Sequence, residues 1–381
     1  MKFNQANFTS NIPTIRLGDY IIRSTVNNHD LKYGVDLIEG VSNEGRFSSP
    51  KGNPVDVDLK PYKIVNNGAF VYNPSRLNLG SIAYRTEGLC IVSHLYIVFY
   101  LNDKGKEIIN PEYLYIYFRR EEFYREVTFR NFGSQRPEFN FNDMSDIRMP
   151  LPDITVQQKY VAIYKSMVAN QQSYERGLED LKLVCDGYIE DLRRKLPCEK
   201  IGKYIERYDV RNGKNGTKNV MGISTSKQFR EPTSKVNKEE LANYKVCRPR
   251  QFAFVQTTHN EKVFTYAFNN TNCDIVVSSV NEVFSVDERK IQPEYLCMFF
   301  NRTEFDRYAR FHSWGSARET FTWNDIINVE VPIPDICTQK AIAEIYDVYI
   351  MRKQINERLK AQIKDICPIL IKGSLEEGAS D

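Results

Sequence analysis

Two short phrases in this chain carry residue types that bind phosphate and read base edges, and they are the same phrase. Gly133, Ser134 and Arg136 recur as Gly315, Ser316 and Arg318, an offset of 182 residues. Glycine lets a backbone approach its ligand closely, a serine hydroxyl can bond a phosphate oxygen, and arginine can reach phosphate or grip guanine with two hydrogen bonds. A turn whose arginine pairs with the neighbouring Glu138 or Glu319 is the alternative use of the same residues. A second pair of candidate loops lies upstream. Tyr72, Asn73 and Arg76 combine a phenol, an amide suited to adenine and a cation. Gln256, Thr257, Thr258 and His259 hold the corresponding place in the second copy, where glutamine suits adenine and threonine a thymine methyl. Tyr72 is equally suited to a core. Arg120, Arg125, Arg302 and Arg307 fall on amphipathic helices and read as solvated faces.

Catalytic tools are missing from the sequence. It holds no G-x-x-x-x-G-K-[ST], G-x-G-x-x-G, H-E-x-x-H or G-x-S-x-G phrase. The [DNS]-P-P-[YFW] phrase with which amino-methyltransferases grip a flipped base is absent too, Asn73-Pro74-Ser75-Arg76 being the nearest run. Asp56, Asp58 and Lys60 read as a solvated turn. Four histidines (His29, His94, His259, His312) share no repeated partners, and eight cysteines form no C-x-x-C pair, so neither a metal site nor a disulfide framework is expected. The reading is of a non-catalytic chain without cofactor or metal. A net charge of +3 means that any surface for a polyanion is local. The run from Leu89 to Leu101 is broken by Ser93 and His94 and is too short to span a bilayer, and MKFNQANFTS has no apolar leader, which fits a soluble protein of the reducing cytoplasm.

The elements that must position these residues come as a tandem repeat. Pro111-Glu112-Tyr113-Leu114 returns as Pro293-Glu294-Tyr295-Leu296, and the same offset aligns Phe118, Arg120, Glu122, Phe123 and Arg125 with Phe300, Arg302, Glu304, Phe305 and Arg307. Phe139, Asn142 and Asp143 align with Phe321, Asn324 and Asp325. Pro150-Leu151-Pro152-Asp153-Ile154 with Gln157 then aligns with Pro332-Ile333-Pro334-Asp335-Ile336 with Gln339. Upstream, runs rich in β-branched and aromatic residues, Phe70-Val71-Tyr72 and Ile91-Val92-Ser93 against Phe254-Val255-Gln256 and Val276-Val277-Ser278, predict strands. One helix is predicted near each domain's end, over Tyr113–Arg125 and Tyr295–Arg307.

Beyond each Pro-x-Pro-Asp stop the period changes to fours and threes. Tyr160, Tyr164, Met167, Gln171, Tyr174, Leu178, Leu181, Cys185, Tyr188 and Leu192 form one heptad stripe; Ile345, Val348, Arg352, Ile355, Leu359, Ile366 and Leu370 form the other. Over 42 residues from Thr155 to Leu196 such a helix is about 60 Å long at about 1.5 Å per residue. The fold expected is α+β: strand-rich domains over 1–152 and 198–334, each followed by a long helix, 153–197 and 335–373, and a polar, disordered tail over 374–381. The helices are expected to pair as an antiparallel coiled coil through Tyr174, Leu178, Leu181, Cys185 and Leu192 on one and Ile355, Leu359 and Ile366 on the other, carrying the domains to opposite ends about a pseudo-two-fold axis.

These phrases, in their order and twice over, resemble the specificity subunits of type I restriction-modification systems along nearly the whole chain. In that family each target-recognition domain ends in P-L-P-x-[IL]-x-x-Q-x-x-I and leads into a long helix. Tyr62 to Tyr84 and Ile91 to Phe99 resemble the family's entry strands. The acidic residue usual before the glutamine is replaced by Val156 and Thr338, and the Y-N-P element becomes Gln256-Thr257-Thr258 in the second copy. The resemblance implies two target-recognition domains reading an asymmetric, bipartite double-stranded DNA target, two methyltransferase subunits brought to it, and restriction subunits joining them. S-adenosylmethionine would sit on the methyltransferase partners. A coiled-coil scaffold binding proteins rather than DNA is the alternative.

Overall fold

The computed structural model describes residues 12–50, 57–130, 138–214, 216–233, 236–237, 240–257, 263–313 and 319–380. The chain divides into two units, Met1–Ser173 with Asn356–Asp381, and Tyr174–Ile355. In the first unit the strands are β1 (Thr14–Arg16), β2 (Ile21–Ser24), β3 (Gly40–Val41), β4 (Phe47–Ser48), β5 (Lys63–Val65), β6 (Phe70–Tyr72), β7 (Ile82–Tyr84), β8 (Cys90–Val92), β9 (Ile97–Leu101) and β10 (Arg148–Pro150). Its short helices are α1 (Asp103–Ile108), α2 (Pro111–Phe118), α3 (Glu121–Arg130) and α4 (Phe141–Ser145). The first long helix, α5 (Ile154–Lys195), begins in this unit and ends in the other.

A four-stranded antiparallel sheet, ordered β2-β9-β6-β7, forms its centre. Side chains alternate faces along a strand. Phe70, Tyr72, Phe99 and Leu101 therefore enter a core shared with α2 and α3, while Val71, Val98 and Ala83 enter another that also holds Val65, Cys90 and Val92 of the β5-β8 pair. The facing residues Phe70 and Phe99 stack with ring centres 5.1 Å apart. Both faces of β6 are buried, which is why it reads as an unbroken apolar run.

The second unit repeats the plan with β11 (Cys198–Lys200), β12 (Ile205–Tyr208), β13 (Gly222–Ile223), β14 (Phe229–Arg230), β15 (Lys245–Cys247), β16 (Phe252–Phe254), β17 (Tyr266–Phe268), β18 (Ile275–Val277), β19 (Glu282–Val286) and β20 (Glu330–Pro332). Its helices are α6 (Pro293–Phe300), α7 (Thr303–Phe311) and α8 (Trp323–Ile326), before the last long helix α9 (Ile336–Gly378). The central order β12-β19-β16-β17 is that of the first unit, and Phe252 stacks on Phe284 at 4.9 Å.

Each single helix predicted near a domain's end is in fact two. The chain turns at Arg119-Arg120 and at Asn301-Arg302, and folding α3 and α7 back brings Phe118 within 4.9 Å of Phe123 and Phe300 within 4.7 Å of Phe305. One long helix would hold those rings apart.

The repeated Pro-x-Pro-Asp phrase starts the long helices. Asp153 accepts hydrogen bonds from the Thr155 amide and hydroxyl, and Asp335 from those of Thr338, satisfying amides that the first turn leaves open. Within the first unit the early part of α5 runs antiparallel to the late part of α9: Lys159 pairs with Glu377 at 2.8 Å, and Gln171 donates to Asn356 at 2.9 Å. Within the second, the Gly177 backbone faces the Arg352 guanidinium, and Cys185 and Ile189 share a core with Ile342 and Tyr346. Of the predicted pairing residues, Cys185 is buried and Tyr174, Leu178, Leu181, Leu192, Ile355, Leu359 and Ile366 are half-buried. Tyr188 and Val348, on the same stripes, are exposed; Ile189 and Tyr346 are buried instead. A straight helix of 3.6 residues per turn drifts away from a 3.5-residue stripe, and here the drift turns Ile189 and Tyr346 into the second unit's core.

The end of α9 also differs from expectation. The helix passes Gly373 and runs to Gly378, with Ser374 and Leu375 buried in the first unit. The Tyr113 and Ser374 hydroxyls share a 2.7 Å hydrogen bond. Gly373 is a contact residue and not a stop: a Cβ there would lie 3.0 Å from the Tyr160 ring.

Candidate nucleic-acid interface

In each unit, one end of the central sheet gathers the candidate segments. In the first, β6 leads into the turn Asn73-Pro74-Ser75-Arg76. The Asn73 side chain accepts from the Ser75 amide at 3.0 Å, shaping the turn, and is half-buried. Arg76 is exposed at the start of the short helical turn Leu77–Leu79. The Phe139 amide donates to the Pro74 carbonyl at 3.0 Å. This bond ties the loop to the segment leaving residues 131–137, and α3 delivers the chain into them.

The second unit keeps that tie. The Phe321 amide donates to the Gln256 carbonyl at 2.8 Å, and Thr257 bridges to Thr320. Phe139 and Phe321 are repeat equivalents. In both units the fold thus ties the loop after the third strand of the sheet to the segment that follows the Gly-Ser-x-Arg phrase in sequence. The phrases themselves, Gly133, Ser134 and Arg136 with Gly315, Ser316 and Arg318, lie outside the described residues, as do Thr258 and His259.

Tyr72 is not a contact residue, which corrects the sequence-based expectation. It is fully buried, edge-on to Phe99 and Phe139 at 6.2 and 6.5 Å. Its hydroxyl has no hydrogen-bond partner among the described residues, and burial pushes its pKa far above the ordinary phenol value. The period of two explains the misreading: Tyr72 shares a face with Phe70, two residues back.

Gln256 is half-buried, and its amide is already engaged. Its Nε2 donates to Glu282 Oε1 at 2.7 Å. Glu282 is 3% exposed, accepts two bonds from Arg207 at 2.8 and 2.7 Å, and lies 3.5 Å from Lys245 Nζ. That carboxylate holds the Arg207 guanidinium above its ordinary pKa through the hydrogen bonds. The strand register puts Ile97 where Glu282 stands, so the first unit has no counterpart of this acid. Charged residues 207, 245 and 282 lie far apart in sequence, and only the sheet reveals their network.

Two arginines set aside as solvated faces are structural. Arg302 is 3% exposed, bonded to Glu190 and 3.6 Å from Asp186 on α5. Arg120 lies 3.8 Å over the Tyr117 ring. Asp58 caps its own turn by accepting from the Lys60 amide at 3.0 Å. Among the described residues no cluster of His, Cys, Asp and Glu could hold a metal ion, and no helix is long and apolar enough to cross a membrane.

The family model described as the type I restriction modification DNA specificity domain matches residues 12–181 and again residues 198–365. No curated protein matches the chain. Among solved structures the chain is similar to the S subunit of a type I restriction-modification system from M. genitalium, at 9% identity over 98% of each chain with a TM-score of 0.57, a likeness of fold. It is also similar to the HsdS subunit from Thermoanaerobacter tengcongensis, at 15% identity over 98% of this chain and 99% of that one, with a TM-score of 0.41. A chain solved in work on assembly and conformational transition of the type I R-M system matches at 15% identity over 97% of this chain and 98% of that one, with a TM-score of 0.47.

Proposed function

As the chain belongs to the type I restriction-modification DNA specificity family, we propose that its two units each read one half of an asymmetric, bipartite DNA target. It is a sequence-specific DNA-binding specificity subunit, and its partners are DNA and the other subunits of such a system. The observation that carries the bipartite reading is the double match of one family model, once to each half of the tandem repeat. Asymmetry is supported by the unlike loops: Asn73 and Arg76 border the first, and Gln256, locked to Glu282, borders the second. Two copies with different side chains at one place would select different bases.

The chain itself is non-catalytic. It recruits two methyltransferase subunits, which bind S-adenosylmethionine and methylate the target, and restriction subunits join them in the cytoplasm. The missing methyl-transfer phrases support that assignment. The test is to combine the purified chain with methyltransferase subunits and map methylated bases across a genome. One two-part recognition sequence should appear only when the chain is present. Methylation that ignores the chain, or calorimetric binding of S-adenosylmethionine to the chain alone, overturns the proposal.

A further inference from the structure

Arg23 and Arg207 hold the same place in the two units. In strand register Arg23 faces Phe99 and Arg207 faces Phe284, and both arginines are exposed. Arg207 is held by an acid: its Nε and Nη2 donate to Glu282 at 2.8 and 2.7 Å, and its guanidinium lies 5.7 Å from the centre of the Trp323 ring. In the first unit Ile97 stands in that acid's place, under the same sheet order. The fold therefore does not require the carboxylate. A buried ion pair is also a poor source of stability, because both charges give up their hydration. What Glu282 supplies is position. Besides Arg207 it accepts from Gln256 Nε2 at 2.7 Å, and Gln256 borders the loop tied to the segment after the Gly-Ser-x-Arg phrase. Oε1 turned toward the carboxylate would meet like charge, so the bond settles which way the amide points. Glu282 uses the Nε and Nη2 edge of the Arg207 fork, and the Nη1 edge of the same plane suits the paired N7 and O6 acceptors of guanine. An arginine already fixed in place gives up less side-chain freedom on binding.

We infer that Arg207 reads a guanine of the second unit's half-site, and that Glu282 is the positioning residue that sets Arg207 and Gln256 side by side for their bases. This rests on the DNA-reading function proposed above and adds a base and the residue that reads it. The first unit, with Ile97 in place of the acid, has no such clamp.

The test uses the full chain assembled with methyltransferase subunits and the duplex found by methylation mapping, each base pair of both half-sites being varied in turn. Arg207→Lys keeps a charge beside Glu282 and loses the planar fork. It should cut discrimination at one G·C pair of one half-site by roughly tenfold to a hundredfold and leave affinity for unrelated duplexes as in wild type. Replacing that guanine by 7-deazaguanine, which lacks the N7 acceptor, should erase most of the difference between the two proteins. Glu282→Ile, which installs the first unit's residue, should lower discrimination at the same pair and at the pair read by Gln256, with the other half-site read as before. Glu282→Gln keeps the volume and should give the same pattern more weakly, which serves if the isoleucine variant does not fold. If Arg207→Lys discriminates as wild type does, or if every sequence loses affinity alike, the inference falls and the DNA-reading function stands. If wild type shows no preference among the varied duplexes, both fall.

Discussion

Gln157 is fully buried and uses both ends of its amide. Its Nε2 donates to the Ile108 and Pro152 carbonyls, each at 2.8 Å, and its Oε1 accepts from the Asn110 amide at 2.8 Å. Gln339 makes the same three bonds with Lys290, Pro334 and Gln292, also at 2.8 Å. The repeated glutamine therefore joins the start of a long helix to the loop before α2 or α6. Gln157→Leu strands three backbone groups, and we expect a loss of about 3 kcal/mol in urea unfolding; retention of wild-type stability would show that the loop relaxes around the gap. Tyr72 is the contrasting case. Tyr72→Phe removes a buried hydroxyl with no hydrogen-bond partner among the described residues and should leave stability equal or raised by up to about 1 kcal/mol, with DNA affinity unchanged. Arg76→Ala, at an exposed position beside it, should weaken DNA binding in a filter or anisotropy assay. The reverse pattern would restore Tyr72 to the reading surface.

Among the elements, the long helices have ends that chemistry can address. Hydrogen bonds from Thr155 hold Asp153, and hydrogen bonds from Thr338 hold Asp335, below the ordinary carboxylate pKa. A depressed folded-state value means that each cap stabilises its helix above the usual carboxylate range, near 4, and is lost as pH falls through the depressed value. Protection factors of the amides in the first turns of α5 and α9, taken relative to intrinsic exchange at each pH, should thus be flat near neutral pH and fall only in acid; Asp153→Asn should blunt that fall at α5 alone. At its far end α9 supplies Ser374, Leu375 and Glu377 to the first unit. Deleting residues 374–381 should weaken exchange protection around Tyr113 and Tyr160 and leave the second unit's sheet as protected as before. Equal loss in both units would contradict the assignment of that segment.

Over the whole molecule, the chain order is not the packing order. The first unit is completed by Cys367, Leu370, Ile371 and Leu375, which follow the entire second unit in sequence. A fragment of residues 1–197 therefore lacks part of its own core and leaves the Tyr160, Val161 and Tyr164 face uncovered. We expect weak near-ultraviolet dichroism from the fragment and its recovery on adding a peptide of residues 356–381. The buried Gln171–Asn356 pair should set the register of that docking, as a single polar pair does in a coiled coil, so a peptide carrying Asn356→Leu should bind with less defined register.

Much of this was legible in the residues alone. An offset of 182 gave the duplication, the periods of two and of three to four gave strands and long helices, and Pro-x-Pro-Asp marked where those helices begin. Such features depend on neighbours within a few residues, where backbone geometry alone decides which side chains share a face. Tertiary structure decided which face turns inward and which polar group meets a partner. Tyr72 looks like a loop residue until Phe99 and Phe139 enclose it. Gln256 looks free to bond a base until Glu282 arrives from another strand. Ser374 looks like tail until Tyr113 reaches it across 261 positions of sequence. Burial and hydrogen-bond satisfaction are properties of surfaces brought together from distant segments, and no local spacing encodes the meeting.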